Sequence, residues 1–402
     1  MKPNRKINKV DNVKNTKKVI IFPLEIKSRD LIPRLEIASK FVEKNYHVII
    51  GEQTAIHRNI NHLPLGILFE KSIGRIKEKR FKKFISLGFK ICSLDEEGLH
   101  AFHLPGVYKK SRLTDYNLKI ASKIFVWGDF EKKVILYKTK FKKFQNKIIN
   151  SGHNKINMWI KNENFFEKSE EKKIQRHYKN YIFLVSNFAH PHRDGDKFLI
   201  NISKKAGLLE TEKDKIALKF DMDYRKFVFN RYLKLLKKLS ENFPEKKIIL
   251  RPHPSENIVK WKFYLRKLRN VEVVFKYDVS IWIRNCEYFV HSSCSTGLEA
   301  FFRGKNPISF LPLYKDKKNY FEKHISNYYS NIIRDENEIV HLIKRNKFPN
   351  KVKTKIKNIF PNTKKTNNPI NIIFKHVDSI KCKNYKIDFN IIKLIRSYLK
   401  EL

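Results

Sequence analysis

Two stretches of sequence decide the fold: Arg251-Pro252-His253-Pro254-Ser255-Glu256 and, further along, His291-Ser292-Ser293-Cys294-Ser295-Thr296-Gly297-Leu298-Glu299-Ala300. Each follows an apolar run that predicts a buried strand, over 247–250 and 288–290, and the second opens a helix that Gly304 ends. Ligands of open α/β sheets bind at the carboxyl ends of the strands. A helix start preceded by Ser and Thr offers unpaired N–H groups and a positive dipole to an anion. The two stretches therefore predict a phosphate-binding crevice.

The composition predicts a folded protein with more than one domain. A length of 402 residues is enough for two ordinary domains, and 41% hydrophobic with 13% aromatic residues excludes disorder. The four cysteines have no paired spacing, which argues against a zinc site or a disulfide framework and favours a reducing compartment. No secretory signal stands at the N-terminus, and no apolar run approaches the roughly 18 residues of a membrane span. We therefore expect a cytoplasmic protein.

The formal charge of +46 comes from 86 Lys and Arg residues against 40 acids. These basic residues are spread along the whole chain, which is typical of compositional drift, and no nucleic-acid-binding module is recognisable. We therefore expect no nucleic-acid partner. The excess charge would still favour peripheral contact with the anionic inner face of the cytoplasmic membrane.

Alternating strand and helix patterns predict two parallel-sheet domains. The first set of strands is predicted over 18–22, 47–51, 89–92, 123–127 and 147–149, and the second over 181–185, 247–250, 271–275, 288–290 and 307–310. Such alternation indicates a sheet covered by helices on both faces. Two domains of this kind facing a central cleft form the arrangement seen in GT-B glycosyltransferases. The fold class is thus predicted to be α/β and GT-B-like, with two Rossmann-like domains.

The predicted segments follow from this pattern. Residues 1–16 would be a loose basic N-terminus, 17–165 an acceptor-side domain, 178–345 a nucleotide-sugar-binding domain, and 346–402 a Lys-rich linker with a terminal helix over 389–400. The charged stretch over about 160–178 would separate the domains.

Three short signals could carry chemistry. Asp95-Glu96-Glu97-Gly98 follows a predicted strand, so a carboxylate there could deprotonate an acceptor hydroxyl, although an acidic helix start explains it equally simply. His253-Pro254 follows another strand end, where a histidine could hydrogen-bond a departing phosphate. The Ser/Thr-rich turn over 292–296 is by itself an ordinary helix cap. Their joint occurrence after strands of different domains favours a site.

These motifs also resemble those of a known group of enzymes. Glu96-Glu97-Gly98, His253-Pro254 and Ser292-Ser293 resemble, in this order, the D/E-D/E-G, HP and SS/T motifs of bacterial sialyltransferases and other transferases that use CMP-activated ulosonic acids. Over residues 18 to 310 the chain is similar to bacterial surface carbohydrate biosynthesis proteins. The similar stretches include Arg29-Asp30-Leu31, His47 to Gly51, Leu63 to Ile67, Phe125 to Gly128, Gly152-His153-Asn154, Val185 to Phe188, and the two stretches quoted first.

The resemblance implies a metal-independent GT-B glycosyltransferase of capsule or lipopolysaccharide synthesis, with no cofactor. It would transfer an ulosonic acid, sialic acid-like or Kdo, from a CMP-sugar donor to a growing, lipid-linked glycan acceptor. Glu97 would be the general base, with Glu96 as its alternative, and His253 would stabilise or protonate the leaving CMP phosphate. Glu299 would bind the ribose. The donor site would consist of Asn187, Arg251, Pro254, His291, Ser292, Ser293, Ser295, Thr296, Gly297 and Glu299.

Glu25, Arg29 and Glu52 lie near the ends of the first two strands, so they either line the acceptor side or form structural ion pairs. Other functions remain open. A GT-B enzyme that uses a UDP-sugar, such as an epimerase or a hexose transferase, would show similar signals. So would a teichoic-acid-type polyol-phosphate transferase. A non-catalytic basic protein that binds membranes or nucleic acid is the alternative of another class, but it would not need a carboxylate in a cleft.

Overall fold

The computed structural model describes residues 16–162, 168–188, 196–315, 320–346, 360 and 368–385. These residues form two six-stranded parallel sheets, each with helices packed against it. The first has the strand order β2-β1-β3-β4-β5-β6 and the second β12-β11-β10-β7-β8-β9. In each sheet the order reverses direction beside the first strand, and this switch point is where open α/β sheets bind ligands.

The strands match the apolar runs in the sequence. Those of the first sheet are β1 Val19–Leu24, β2 His47–Glu52, β3 Ile67–Glu70, β4 Lys90–Leu94, β5 Ala121–Val126 and β6 Ile148–Asn150. Those of the second are β7 Ile182–Val185, β8 Ile248–Arg251, β9 Val271–Val273, β10 Tyr288–His291, β11 Ile308–Phe310 and β12 Asn331–Ile333. Every residue of β1, β7, β8 and β10 is buried, as expected for strands that helices cover on both faces.

The helices connect these strands. In the first half they are α1 Lys27–Glu43, α2 Gln53–Arg58, α3 Glu78–Ser86, α4 His100–His103, α5 Pro105–Arg112, α6 Asp115–Ile120, α7 Asp129–Ile135, α8 Asn154–Lys161 and α9 Lys168–His177. In the second half they are α10 Asp196–Lys205, α11 Glu212–Asn242, α12 Ile258–Leu265, α13 Val279–Asn285, α14 Ser295–Phe302, α15 Glu336–Arg345 and α16 Pro369–Asp378. A capping box of Thr211 and Asp214 begins α11, the longest described helix.

The end of the described chain returns to the first sheet. Helix α16 buries Ile373 and Val377 in the core beside Phe41, and Tyr46 donates a hydrogen bond of 2.6 Å from its hydroxyl to Asp378. The segment predicted as a linker over 346–402 therefore also contributes a helix to the core of the first domain. The terminal helix predicted over 389–400 and the loose segment over 1–15 lie outside the described residues.

Two strands were not predicted from the sequence. Strand β3 is only four residues long and ends at Glu70, whose fully buried carboxylate forms an ion pair with Lys77 at 2.9 Å and lies 2.8 Å from His57 Nε2. A buried charge breaks the apolar pattern by which a strand is recognised. Strand β12 has three residues at the edge of its sheet, where half-buried positions give little pattern.

Candidate functional site

A cavity of about 430 Å³ lies where the strand-end loops of both sheets meet. Its described lining includes seven Lys and Arg side chains against five carboxylates, together with three histidines. The residues predicted for the site that do line it are Arg29, Glu96, Glu97, Asn187, Arg251, His253, Pro254, Ser295, Thr296 and Glu299. The predicted residues outside this lining are Glu25, Glu52, His291, Ser292, Ser293 and Gly297.

His253 lies half-buried in the loop that follows β8. Its Nδ1 accepts a hydrogen bond from the backbone N–H of Ser255 at 3.2 Å and lies 2.6 Å from the Ser255 hydroxyl. In the neutral ring the proton therefore sits on Nε2, which makes that nitrogen a donor. The Ser255 turn thus fixes the tautomer that can hydrogen-bond a phosphate.

The start of α14 faces the same cavity. Ser295 is exposed and Thr296 is half-buried there. In the described structure the side chain of the N-cap residue Cys294 caps no backbone N–H of the first turn, and its Sγ lies 3.2 Å from the Thr296 hydroxyl. Because the first N–H groups of a helix have no partner inside the helix, this turn can receive an anion.

The predicted residues His291, Ser293 and Gly297 support this turn from beneath. His291 is fully buried; its Nδ1 accepts from the Cys294 N–H at 3.3 Å, and its Nε2 lies 2.9 Å from the Ser330 hydroxyl. A Cβ on Gly297 would lie 2.3 Å from His291 Nε2, so only glycine allows this close approach. These three residues therefore lie outside the cavity lining and pack against the start of α14.

The Ser292-Ser293 pair is also buried away from the cavity. Ser293 has a left-handed backbone (φ 47°), and its hydroxyl donates to the Phe321 carbonyl at 3.1 Å while accepting from Asn327 at 3.1 Å. A non-glycine residue in this conformation persists only where its surroundings hold it. The pair therefore shapes the loop that leads into α14, whereas Ser295 and Thr296 reach the cavity.

Arg251 and Glu299 line the cavity, but each already forms hydrogen bonds within the protein. The Arg251 guanidinium donates to the carbonyls of Lys276 and Tyr277, both at 2.8 Å, and so holds the loop after β9. Oε1 of Glu299 accepts from the Ser280 hydroxyl at 2.5 Å and from Arg303 at 3.0 Å. Among the described residues, Oε2 of Glu299 has no hydrogen-bond partner, so this oxygen can accept from a ligand hydroxyl.

Glu96 is a buried ion-pair centre. Its carboxylate lies 2.8 Å from Arg34, 2.5 Å from Lys155 and 3.3 Å from His153. Burial opposes ionisation, but the charges of Lys155 and Arg34 hold the pKa of Glu96 well below its usual range. With its side chain 1% exposed, Glu96 joins α1, β4 and α8, and it is not placed to take a proton from an acceptor.

Glu97 is the more accessible carboxylate, with about a third of its side chain exposed. Arg112 contacts it directly and Arg29 lies 3.9 Å away. Although burial opposes ionisation, Arg112 and its neighbours lower the pKa of Glu97 to about 2. The adjacent Gly98 is required, since a Cβ there would lie 2.4 Å from the Trp127 ring. Glu97 is thus ionised at any working pH, but it is a weak base.

Two acceptor-side candidates, Glu52 and Glu25, lie outside the cavity lining. The Glu52 carboxylate accepts hydrogen bonds from the N–H groups of Thr54 at 2.7 Å and Ala55 at 2.6 Å, so it caps α2. Glu25 forms ion pairs with Lys71 and Arg29 beside the cavity. Glu52 ends β2 and Glu25 follows β1, as the sequence suggested, and both carboxylates bind groups of their own domain.

Sequence reasoning missed several cations and histidines around the cavity. They are Lys155, Arg225, Arg303, His100 and His324, which line it, and Arg112, which reaches Glu97. His153 belongs to the Gly152-His153-Asn154 stretch and Lys155 directly follows it, so this stretch was a signal for groups that lie beside Glu96. Arg225 lies on α11 and Arg303 directly follows α14. Neither has a local signal in the sequence, and only the tertiary fold brings them to the cavity.

The described residues contain no cluster of three His, Cys, Asp or Glu side chains arranged to hold a metal ion. No described helix combines the length and the apolar character that crossing a membrane requires.

A scan against protein-family models and a search of characterised proteins found no match to this sequence. Solved structures do match. The structure of S. aureus MnaA with UDP superimposes with a TM-score of 0.56 at 11% identity, over 92% of this chain and 100% of that chain. A putative UDP-N-acetylglucosamine 2-epimerase from Listeria monocytogenes gives 0.54 at 9% identity, over 92% and 100%. The wall teichoic acid polymerase TagF gives 0.51 at 10% identity, over 90% and 84%.

The chain has the GT-B fold. The likeness covers both sheets and the cleft between them, which confirms the predicted fold class. Identities this low establish the shared fold alone. None of these three proteins is described as a sialyltransferase or as using a CMP-linked donor.

Proposed function

We propose that this protein is a GT-B enzyme of surface-glycan synthesis that takes a substrate activated by a pyrimidine nucleoside diphosphate. The observation that carries the proposal is the α14 start with Ser295 and Thr296, which shares one cavity with the imidazole of His253. A helix start, hydroxyls and an imidazole donor together bind phosphate oxygens. They would also stabilise the charge that develops on a leaving nucleotide.

The choice of a diphosphate rests on two supports. The cavity volume of about 430 Å³ falls in the range of small-ligand sites, and its excess of cations favours a strongly anionic ligand. The structurally similar proteins are named for UDP, for UDP-N-acetylglucosamine and for wall teichoic acid. The CMP-linked ulosonic acid that the sequence resemblance implies has a single phosphate and is kept as the second candidate.

In this proposal each face of the cavity has its own task. Glu299 Oε2 would accept hydrogen bonds from the ribose hydroxyls, and His253 would contact the diphosphate. Glu97 would act on the other substrate, as a permanently ionised base or as the group that orients the attacking hydroxyl. Its low pKa places its contribution at the lower end of general-base effects, about 100-fold. The acceptor would be a growing, lipid-linked glycan, and no metal ion would take part.

Thermal unfolding with UMP, UDP, UDP-N-acetylglucosamine, CDP-glycerol and CMP tests the ligand class. A ligand that binds the folded state alone stabilises it by ~2.7 kcal/mol at 100 times its Kd. We expect UDP or CDP-glycerol to stabilise more than CMP, and single-stranded RNA to have no effect. Release of free nucleotide from the stabilising substrate then distinguishes an enzyme from a binding protein.

A matched pair of variants assigns the site. His253→Ala should weaken UDP binding about 10- to 100-fold, since it removes a donor to a charged ligand. His341→Ala is the control, because His341 is an exposed histidine of α15. If CMP alone stabilised the protein, the proposed donor would change from a nucleoside diphosphate to a CMP-linked sugar. Failure of every nucleotide would end the proposal.

A further inference from the structure

Helix α12 lies beside β9, the last strand of the second sheet, and exposes apolar side chains to solvent. Its inner face packs Trp261 and Leu265 into the core, where they are 0% and 4% exposed. On the outer face Val259 is 74% exposed, Phe263 59% and Tyr264 47%. Val259 and Phe263 are four residues apart and so are neighbours on one side of the helix.

The same segment is strongly basic. Residues 258–269 contain Lys260, Lys262, Arg266, Lys267 and Arg269, all exposed, and no acidic residue. The Arg266 guanidinium lies 3.9 Å from the centre of the Phe263 ring, so a cation contacts the exposed apolar group directly.

The acids nearest in sequence do not compensate this charge. Glu256 is buried and accepts from the Ser186 hydroxyl at 2.5 Å and the Trp261 indole at 2.7 Å. Glu272 accepts from the Tyr178 hydroxyl at 2.7 Å.

We propose that this surface, Val259, Phe263 and Tyr264 with the five basic residues of 258–269, docks on an anionic lipid membrane. A helical face that combines aromatic and aliphatic groups with Lys and Arg binds at the lipid interface: the apolar groups enter the headgroup boundary and the cations contact anionic lipid. A second copy of this surface would bring five cations against five, which opposes self-association. Nucleic acid would use the cations but leave Val259 without an apolar partner.

The proposed membrane surface lies close in sequence to the cavity. Pro254 lines the cavity, and Asn257, three residues on, caps α12 by accepting from the Lys260 N–H at 3.1 Å. Lipid contact through α12 would hold the cavity close to a membrane-anchored substrate. The inference does not rest on the nucleotide proposal, since vesicle binding and nucleotide binding are measured separately.

Co-sedimentation of the full chain with vesicles tests the surface. Vesicles of phosphatidylcholine with phosphatidylglycerol are compared with pure phosphatidylcholine, at salt from about 0.1 M to 1 M. We expect preference for the anionic vesicles. Lys260→Gln/Lys262→Gln should bind roughly 25-fold more weakly, at about fivefold per lysine. Val259→Ser/Phe263→Ser should lose about tenfold.

The control variant is Val42→Ser/Ile76→Ser, which changes two apolar residues that are 60% and 65% exposed elsewhere. It should bind within about twofold of the unaltered protein. Equal binding to neutral and anionic vesicles, or α12 variants that bind as the control does, would overturn the proposal. Loss of RNA binding in the lysine variant, without vesicle binding by the unaltered protein, would assign the surface to nucleic acid instead.

Discussion

The two faces of the cavity use their charges in different ways. On the first-domain face the carboxylates are paired within the protein: Glu96 with Arg34 and Lys155, and Glu97 with Arg112. On the second-domain face, Ser295 and Thr296 at the start of α14 line the cavity together with His253. We therefore propose that the first face mainly stabilises the fold and that the second binds the ligand.

The two faces also have one local feature in common, a loop that follows a strand and contains a glycine packed against a ring. The Glu96-Glu97-Gly98 and Ser295-Thr296-Gly297 segments both follow strands, and both need glycine because a buried ring lies against it, Trp127 in one and His291 in the other. Close packing of a loop on a ring thus keeps the loop rigid on both faces. The loops differ in their polar groups: Ser295 and Thr296 line the cavity, whereas Glu96 is paired with Lys155.

The largest effect is expected for Glu96→Gln. The substitution leaves Arg34 and Lys155 buried without their counter-charge, which typically costs about 3–5 kcal/mol. Urea unfolding should show this loss. Glu97→Gln is the matched control, since its more exposed carboxylate should affect stability much less. Equal stability of the two variants would contradict the assigned difference between these neighbours.

Glu97→Gln should instead affect turnover. We expect nucleotide affinity to stay unchanged and the turnover number to fall about 100-fold, since an amide cannot accept a proton. Steady-state kinetics that separate kcat from KM provide the measurement. Because the pKa of Glu97 is about 2, the carboxylate should add no acidic limb to the pH profile above pH 4. Full turnover by this variant would show that the first face has no chemical role.

A third effect concerns the histidines between the domains. The rings of His103 and His324 lie 4.1 Å apart, and burial, with His100 nearby, lowers the pKa of His103 to about 3. Since the unfolded chain binds the extra proton, stability should fall as pH drops from about 6.5 towards 3. One such histidine contributes up to ~1.4 kcal/mol per pH unit.

The pH dependence of urea unfolding measures this contribution. His103→Phe should make stability less dependent on pH below about 6.5, whereas the exposed His341→Phe should leave the dependence unchanged. An identical slope in His103→Phe and the unaltered protein would place His103 in contact with water.

The smallest effect is expected from metal removal. Nucleotide release should continue unchanged in EDTA, because in our proposal donors and cations of the second face bind the phosphate without a metal ion. Strict dependence on added Mg²⁺ or Mn²⁺ would show that this face is insufficient and would revise the site.

The fold could be predicted from the sequence because apolar runs such as those of β1 and β8 form fully buried strands. The motif residues His253, Ser295 and Thr296 were readable for a related reason, since strand ends converge in a parallel sheet. Glu52 and His291 lie outside the cavity lining, because a strand-end position does not reveal where a side chain points. Arg112 and Arg225 were missed because nothing in their helices marks a cavity many residues away.

Hydrogen exchange of the backbone amides, measured with and without UDP, tests the central claim most directly. The account predicts slower exchange over 294–298 and around His253 when UDP is bound, with little change over 95–99. Protection confined to 95–99 and the neighbouring loops of the first sheet would contradict it, because the nucleotide would then occupy the face assigned to the other substrate.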